Sequence, residues 1–288
     1  MILVTGATGS IGRHLVRELR DLGAPFTALV RDADKGRALG CRYVVGDFDD
    51  PGSLAAALDG VDHLLLNSAG AVPTSDGAPQ PMIAQQRAAI DAAGRAGVRR
   101  IVKVSVWQAR RGGRLAQGAH WEIEQYLKAS GIEWAVLQPS GFMQNFATGA
   151  GTFTAEGSLI SPATDSPVSY VDCQDIAACA AVLLTRPLGA GETFVLTGPA
   201  ALTMAEIAGQ LSRAVDRPVG VVGLGGEEMA ARLTAQGLPA RFAADVAALW
   251  TEVGDGSLAA TTDEVRNLTG RDPRSFADFL AANRAAFD

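Results

Sequence analysis

Cysteine, histidine and lysine are all scarce in this chain of 288 residues, with three cysteines, three histidines and only three lysines among 25 basic residues. Cys41, Cys173 and Cys179 form no CxxC pair. His14, His63 and His120 are too scattered to complete a metal-ligand spacing, so the composition argues against a disulfide framework and a metal centre. The thiols are expected to be buried and reduced. Long apolar runs are missing as well: a stretch such as Ala177 to Leu184 is far short of a membrane span. Met1 leads directly into an apolar strand, leaving no room for a signal peptide, so a cytoplasmic protein with no membrane partner is expected. Positive charge is in deficit, with a net charge of -6 and a pI near 5.2. Nucleic acid is therefore an unsuitable partner, and the cluster Arg110, Arg111, Arg114 is too short to reverse that.

What the chain does have is glycine at regular intervals near its start. Val4-Thr5-Gly6-Ala7-Thr8-Gly9-Ser10-Ile11-Gly12 joins the apolar strand Ile2 to Val4 to a helical pattern with Ile11, Leu15, Val16, Leu19 and Leu22 on one face, ending at Gly23. Between a strand and an amphipathic helix, three such glycines read as a cradle for a dinucleotide. Gly6 serves a tight turn, Gly9 the close approach of backbone to pyrophosphate, and Gly12 the packing of helix on strand, while the helix N-terminus offers its N–H groups to the anion.

Further apolar runs at 26–30, 43–45, 63–66, 100–104 and 133–137 alternate with helical patterns near 53–58, 81–96 and 118–129. This βαβ alternation predicts an α/β fold: a Rossmann-type doubly wound parallel sheet with helices on both faces. After Pro139 the pattern changes. Residues 141–171 are rich in Gly, Ser, Thr and Pro, a buried helix follows at 175–185, and a strand at 193–196 returns to the sheet. Beyond Leu202 short helices dominate, with a strand at 219–222 and a closing amphipathic helix at 276–287. The expected organisation is a dinucleotide-binding domain over 1–140, with 172–198 returning to its sheet, and a smaller discontinuous substrate region mainly within 141–288.

The residue after the second strand of such a fold selects the cofactor: a carboxylate accepts from a ribose 2'-OH, an arginine pairs with a 2'-phosphate. Arg31 stands there, supported by Lys35, so NADPH is favoured, and the adjacent Asp32 leaves room for NADH. Asp47 and Phe48 follow the third strand, where an adenine ring would rest; Asp50 suits a helix cap before Pro51. Asn67, Ser68 and Ala69 follow the fourth strand and Ser105 the fifth, at the carboxyl ends where open α/β sheets bind ligands.

These residues, with Val45-Gly46-Asp47-Phe48, Ile101-Val102-Lys103-Val104-Ser105, Ser130-Gly131-Ile132 and Leu137-Gln138-Pro139-Ser140-Gly141-Phe142-Met143-Gln144-Asn145, make the chain resemble the NmrA-like branch of the atypical short-chain dehydrogenase/reductase superfamily. Gln138 replaces the arginine usual in that last run, and Leu268-Thr269-Gly270-Arg271-Asp272-Pro273 is similar to the family's C-terminal pattern. The resemblance implies a nicotinamide-binding fold with Pro139 beside the cofactor. It brings together quinone reductases, redox-sensing regulators that bind the cofactor without turnover, and enzymes of natural-product pathways. The superfamily's usual catalytic pair is a tyrosine with a lysine four residues later. Tyr43, Tyr126 and Tyr170 are followed at that spacing by Asp47, Ser130 and Gln174, so ordinary alcohol dehydrogenase chemistry is not expected.

On the helix before the sixth strand stand His120 and Glu124 instead, with the imidazole as substitute acid and Glu124 placed to orient it. Lys103, a lysine inside an apolar strand, must snorkel or find a partner, and joins Ser105 and His120 as a catalytic candidate. Trp107, Phe142, Met143, Phe146 and Trp250 are candidate walls for a flat substrate, with Asn145, Gln138 and His120 as its hydrogen-bonding groups. Hydride transfer to a quinone suits such a site, because the product oxygen is a phenolate near pKa 10 and needs little acid help. The expected function is an NADPH-dependent oxidoreductase of quinones or polycyclic aromatics, of the kind used in aromatic polyketide tailoring, where reduction is coupled to hydroxylation. A partner reductase or a second copy of the chain is the candidate macromolecular partner. The alternative is a non-catalytic NAD(P)-sensing regulator.

Overall fold

The computed structural model describes residues 1–68, 78–148, 153–164 and 166–287. In chain order the elements are β1 (Ile2–Val4), α1 (Ser10–Asp21), β2 (Phe26–Val30), α2 (Ala33–Ala38), β3 (Tyr43–Val45), α3 (Pro51–Ala57), β4 (His63–Leu66), α4 (Pro81–Arg95), β5 (Arg100–Val104), α5 (Ala116–Ala129), β6 (Glu133–Pro139), α6 (Gln144–Thr148), β7 (Leu159–Pro162) and α7 (Cys173–Thr185). They continue with β8 (Glu192–Leu196), α8 (Met204–Ala214), β9 (Val221–Leu224), α9 (Gly226–Ala235), α10 (Ala240–Gly254), α11 (Glu264–Thr269) and α12 (Phe276–Ala282). Two compact units share these elements. The first holds residues 1–68, 79–139 and 173–195, and the second holds 78, 140–148, 153–164, 166–172 and 196–287.

The sheet of the first unit has the order β3-β2-β1-β4-β5-β6-β8, and β1 to β6 pair in parallel, with Val4 opposite Ala28 and Leu65, and Lys103 opposite Leu66 and Val136. This is the doubly wound Rossmann order, whose direction reverses between β1 and β4. Side chains alternate across the sheet. Leu3, Leu64, Leu66 and Ile101 enter one core with Leu54 of α3, Met82 and Ile90 of α4 and Ile123 and Leu127 of α5. On the opposite face α1 packs on α7, which also lies against β4, β5 and β6. Lys103 shares the side of Ile101, the side covered by α4 and α5. A buried strand with no polar partner on that face would strand a lysine; this one does not.

Some elements depart from the sequence pattern. α2 has too few apolar positions to be read from periodicity; Asp32 makes it by capping, its Oδ1 accepting from the N–H groups of Asp34 at 2.7 Å and Lys35 at 3.2 Å. Leu22, expected on the buried face of α1, is 56% exposed, because the helix ends one residue earlier and the chain turns at Gly23 with φ 64°. Asp50 caps α3 through Gly52 and Ser53, as its position suggested.

The second unit contains a two-stranded parallel sheet of β7 and β9 and a core of Met143, Phe146, Ile207, Leu211, Phe276, Phe279 and Leu280. β7 lies in a stretch without clear strand alternation, and β9 runs from Val221 to Leu224, not over 219–222. The closing helix is shorter than the amphipathic pattern: α12 stops at Ala282, where the side-chain amide of Asn283 donates back to Phe279 O at 2.8 Å, and a 3-10 turn, Arg284–Ala286, follows. Phe287 still packs edge-on against Phe279, at 6.2 Å between ring centroids. No helix among the described residues is long and apolar enough to cross a membrane.

Candidate functional site: a glycine cradle and a buried lysine–histidine pair

The cradle is built where β1 ends. Thr5 Oγ1 lies 2.7 Å from Leu65 O and accepts from Asn67 N–H at 2.9 Å, which ties the ends of β1 and β4 together at the reversal of strand order. The chain then turns at Gly6, with φ 64°, and a side chain there would be strained as well as crowded by Asn67 O at 2.9 Å. Gly12 is tighter: a Cβ would lie 2.2 Å from Gly6 O, so helix and loop touch backbone to backbone. Gly9 is the N-cap of α1 without a side-chain cap, and the first turn carries no acid. Thr8 and Gly9 are exposed and Ser10 is half-buried, while Ile11 and Gly12 are buried. The first-turn N–H groups of Ser10, Ile11 and Gly12 have no intrahelical acceptor. An uncapped helix start, a loop that admits no Cβ at Gly6 or Gly12 and exposed Thr8 and Gly9 together fit a pyrophosphate.

Arg31 is exposed at the end of β2 and makes no ion pair among the described residues. Asp32 Oδ1 is engaged in its cap, and the exposed carboxylate keeps Oδ2 beside it. Lys35 is exposed on α2. Asp47 accepts from Asp49 N–H at 3.0 Å through Oδ1, and Phe48 leans on the core, both half-buried. Ser68 follows β4; Ala69 lies outside the described residues.

Beyond β5 the side chains do the building. Lys103 is fully buried, and its Nζ donates to Gln86 Oε1 of α4 at 2.8 Å and to Val104 O at 3.2 Å, and stands 3.0 Å from His120 Nδ1 of α5. Three acceptors therefore meet the three protons of one ammonium. Gln86, itself fully buried, is held in this orientation because its amide donates to Ser68 Oγ at 2.8 Å. Desolvation pulls Lys103 down to about 7, against which the negative charge of Glu124 pushes upward. Burial, and then the charge of Lys103, hold His120 well below its usual 6.5, so the imidazole is neutral; opposite the Lys103 ammonium, Nδ1 is the acceptor and the ring proton is on Nε2. Nε2 has no partner within the described residues, and the only buried side-chain polar atom there lacking one is Gln117 Oε1; His120 Nε2 therefore keeps an accessible edge.

Glu124 does not orient His120, contrary to the sequence expectation. One turn further along α5, its carboxylate accepts from Ser105 Oγ at 2.5 Å and Gln138 Nε2 at 2.9 Å and lies 3.4 Å from Lys128 Nζ. Ser105 is buried, and this bond turns its proton away from any substrate. Gln138 is likewise engaged. Trp107 is half-buried and tied to β6 through Pro139 O at 2.9 Å, Pro139 being buried.

The aromatic candidates of the second unit separate by burial. Met143 and Phe146, 1% and 2% exposed, offer no accessible surface to a ligand: Phe146 packs edge-on against Tyr170 and Phe276, and Met143 belongs to the same core. Phe142 is half-buried, Asn145 is exposed, and Trp250 is half-buried with its indole N–H bonded to Leu224 O at 3.1 Å. Gln86 is the site residue that sequence reading missed. Its signal is a single polar residue inside the buried stripe Met82, Gln86, Ala89, Ile90, Ala93 of α4.

A profile of the NmrA-like family matches residues 1–280. The chain belongs to the NmrA-like family. An NAD(P)H azoreductase of Xenophilus azovorans is 38% identical over 100% of this chain and 99% of its own length. A (4-alkanoyl-5-oxo-2,5-dihydrofuran-3-yl)methyl phosphate reductase of Streptomyces griseus is 32% identical over 100% of this chain and 99% of its own. Among solved structures, an NADPH-dependent quinone oxidoreductase of Escherichia coli, complexed with NADPH, superimposes with a TM-score of 0.84 at 28% identity over 100% of both chains. The Escherichia coli enzyme and this chain thus share the fold over their full lengths.

Proposed function

We propose that this protein is an NADPH-dependent oxidoreductase acting on quinones and related flat conjugated acceptors. The observation that carries the reading is a dinucleotide cradle combined with a neutral imidazole as the available acid. The backbone of Gly6, Thr8, Gly9, Ser10, Ile11 and Gly12 holds the pyrophosphate; Arg31 and Lys35 meet the 2'-phosphate. Asp47 and Phe48 flank the adenine, and Asn67, Ser68 and Pro139 border the nicotinamide half; Lys103, fully buried, touches no cofactor. When bound, NADPH supplies a hydride. The chain's own task is to place the acceptor and stabilise the oxygen on which charge develops.

His120 does this by donating from Nε2 to that oxygen. A phenolate-like product near pKa 10 demands less of an acid than the alkoxide of an isolated ketone, which fits a site whose sequence carries no Tyr/Lys pair. Ser105 acts behind it by locking Glu124. Within the first unit Trp107 is the flat side chain offered to such a substrate, and Phe142, Asn145 and Trp250 are the candidates that the second unit carries. Azo compounds, named for the Xenophilus relative, belong to the same class of conjugated acceptors, and an aromatic polyketide tailoring step is a natural setting for the chemistry. The test is anaerobic mixing of NADPH and a naphthoquinone with the protein, followed at the absorbance of the reduced cofactor. Cofactor oxidation well above buffer is expected, faster with NADPH than with NADH. Tight NADPH binding with no acceleration across a quinone and azo panel would overturn the reading in favour of a cofactor sensor.

A further inference from the structure

A neutral imidazole that gives up its Nε2 proton alone becomes an imidazolate, a base far too strong to form in a buried site. The step is feasible only if Nδ1 gains a proton as Nε2 loses one. A donor stands in place: Lys103 Nζ, 3.0 Å from Nδ1 and fully buried. We propose that Lys103, held by Gln86 and the Val104 carbonyl, is the proton reserve of the site and recharges His120 through Nδ1 as His120 protonates the substrate. This deepens the reductase reading and rests on it.

The step balances. The Nζ–H bond of the ammonium breaks and an Nδ1–H bond forms, the Nε2–H bond breaks and an O–H bond forms on the reduced acceptor, and Lys103 is left as a neutral amine. His120 ends neutral with its proton on the other nitrogen. The two electrons arrive with the hydride, so no further reductant is needed. After product leaves, a proton from solvent returns to Lys103 by the same route in reverse. The surroundings of Lys103 suit this traffic. α4 presents only neutral Gln86, the flanking strands present Leu66 and Val136, and α5 presents His120 and the Glu124 carboxylate, itself occupied by Ser105, Gln138 and Lys128. The ammonium is thus desolvated but fully hydrogen-bonded, and burial places its proton release near neutrality. Gln86 is a positioning residue: its amide, fixed by Ser68, keeps its carbonyl on Lys103.

Because the chain has three lysines, Lys35, Lys103 and Lys128, side-chain lysine NMR of the whole protein gives three signals. One is expected to titrate near neutrality and to vanish in Lys103→Met. In Gln86→Glu the new carboxylate, which Ser68 can still satisfy, should move that midpoint up by at least about one pH unit, the scale of a neighbouring opposite charge. Quinone reduction should lose rate above the same midpoint, and the limb should move with it in Gln86→Glu. Lys103→Met should lower kcat about tenfold or more, with little change in KM, toward the hundredfold or larger range typical of general acids. Lys103→Arg, permanently charged, should not rescue it. The proposal is overturned if no lysine signal titrates below about pH 9, well under the ordinary lysine value near 10.4, or if Gln86→Glu moves neither the signal nor the rate limb in a protein that turns over. Absence of turnover in the wild type, with the lysine titration intact, would strike the reductase reading instead.

Discussion

The cradle at Gly6–Gly12 and the pair at Lys103–His120 are two sites built on opposite principles within one sheet. The cradle is made of backbone: its specificity lies in what is absent, a Cβ at Gly12 that would stand 2.2 Å from Gly6 O and a side-chain cap at Gly9. The pair is made of side chains from α4, β5 and α5, and its specificity lies in an acceptor for every proton of one ammonium. A backbone site tolerates almost any neighbour but no added atom. A side-chain network tolerates added atoms nearby but no lost partner, because a buried polar group left alone is costly.

That contrast can be tested from its strongest consequence downward. Gly12→Val should abolish saturable NADPH binding in a fluorescence titration and lower Tm, since neither Gly6 O nor Ala7 Cα can withdraw; near-native affinity would mean that the loop is not a rigid cradle. Lys103 should make stability depend on pH. Its folded pKa lies below its unfolded value near 10.4, so the unfolded chain holds the extra proton between about 7 and 10.4, and stability rises with pH across that window by up to about 1.4 kcal/mol per unit. Below about 7 the cost of burying the ammonium is present in full. Urea midpoints of the wild type should climb from neutral pH to pH 10, while Lys103→Met should lose the slope.

Arg31→Ala should weaken NADPH by about 10–100-fold, the worth of about 1.5–3 kcal/mol for a hydrogen bond to a charged group, and leave NADH nearly unchanged in parallel titrations. Equal losses for both cofactors would remove Arg31 from the 2'-phosphate. The smallest effects belong to the second unit, where Thr203 and Ser275 close capping boxes on α8 and α12. Replacing either by alanine should cost about 1 kcal/mol of stability in denaturant melts, with no change in NADPH affinity.

Legibility followed the same division. Gly6, Gly9 and Gly12 were readable because turn, helix start and packing constraint sit within one short stretch. Lys103 was noticeable because a charge inside an apolar strand demands an explanation, but its partners were not, since Gln86 and His120 lie 17 residues to either side of it in sequence. The role first read for Glu124 failed for the complementary reason: one turn from His120 on the same helix, it was drawn to Ser105 and Gln138 by the ends of two strands that helix periodicity does not register. Met143 and Phe146 looked like pocket walls by their place after β6, and burial put them in the second core.

Local order along the chain was enough to specify the parallel sheet, the cradle and the lack of a lysine four residues after any tyrosine, because each depends on residues near one another or on simple inventory. Which side chains meet at Lys103, and what keeps His120 neutral, depended on how α4 and α5 settle on one face of β5. That choice is made by packing, which brings a glutamine and a histidine each to within about 3 Å of one lysine, and the desolvation of that packed face is the largest cause of the lowered proton affinities of Lys103 and His120.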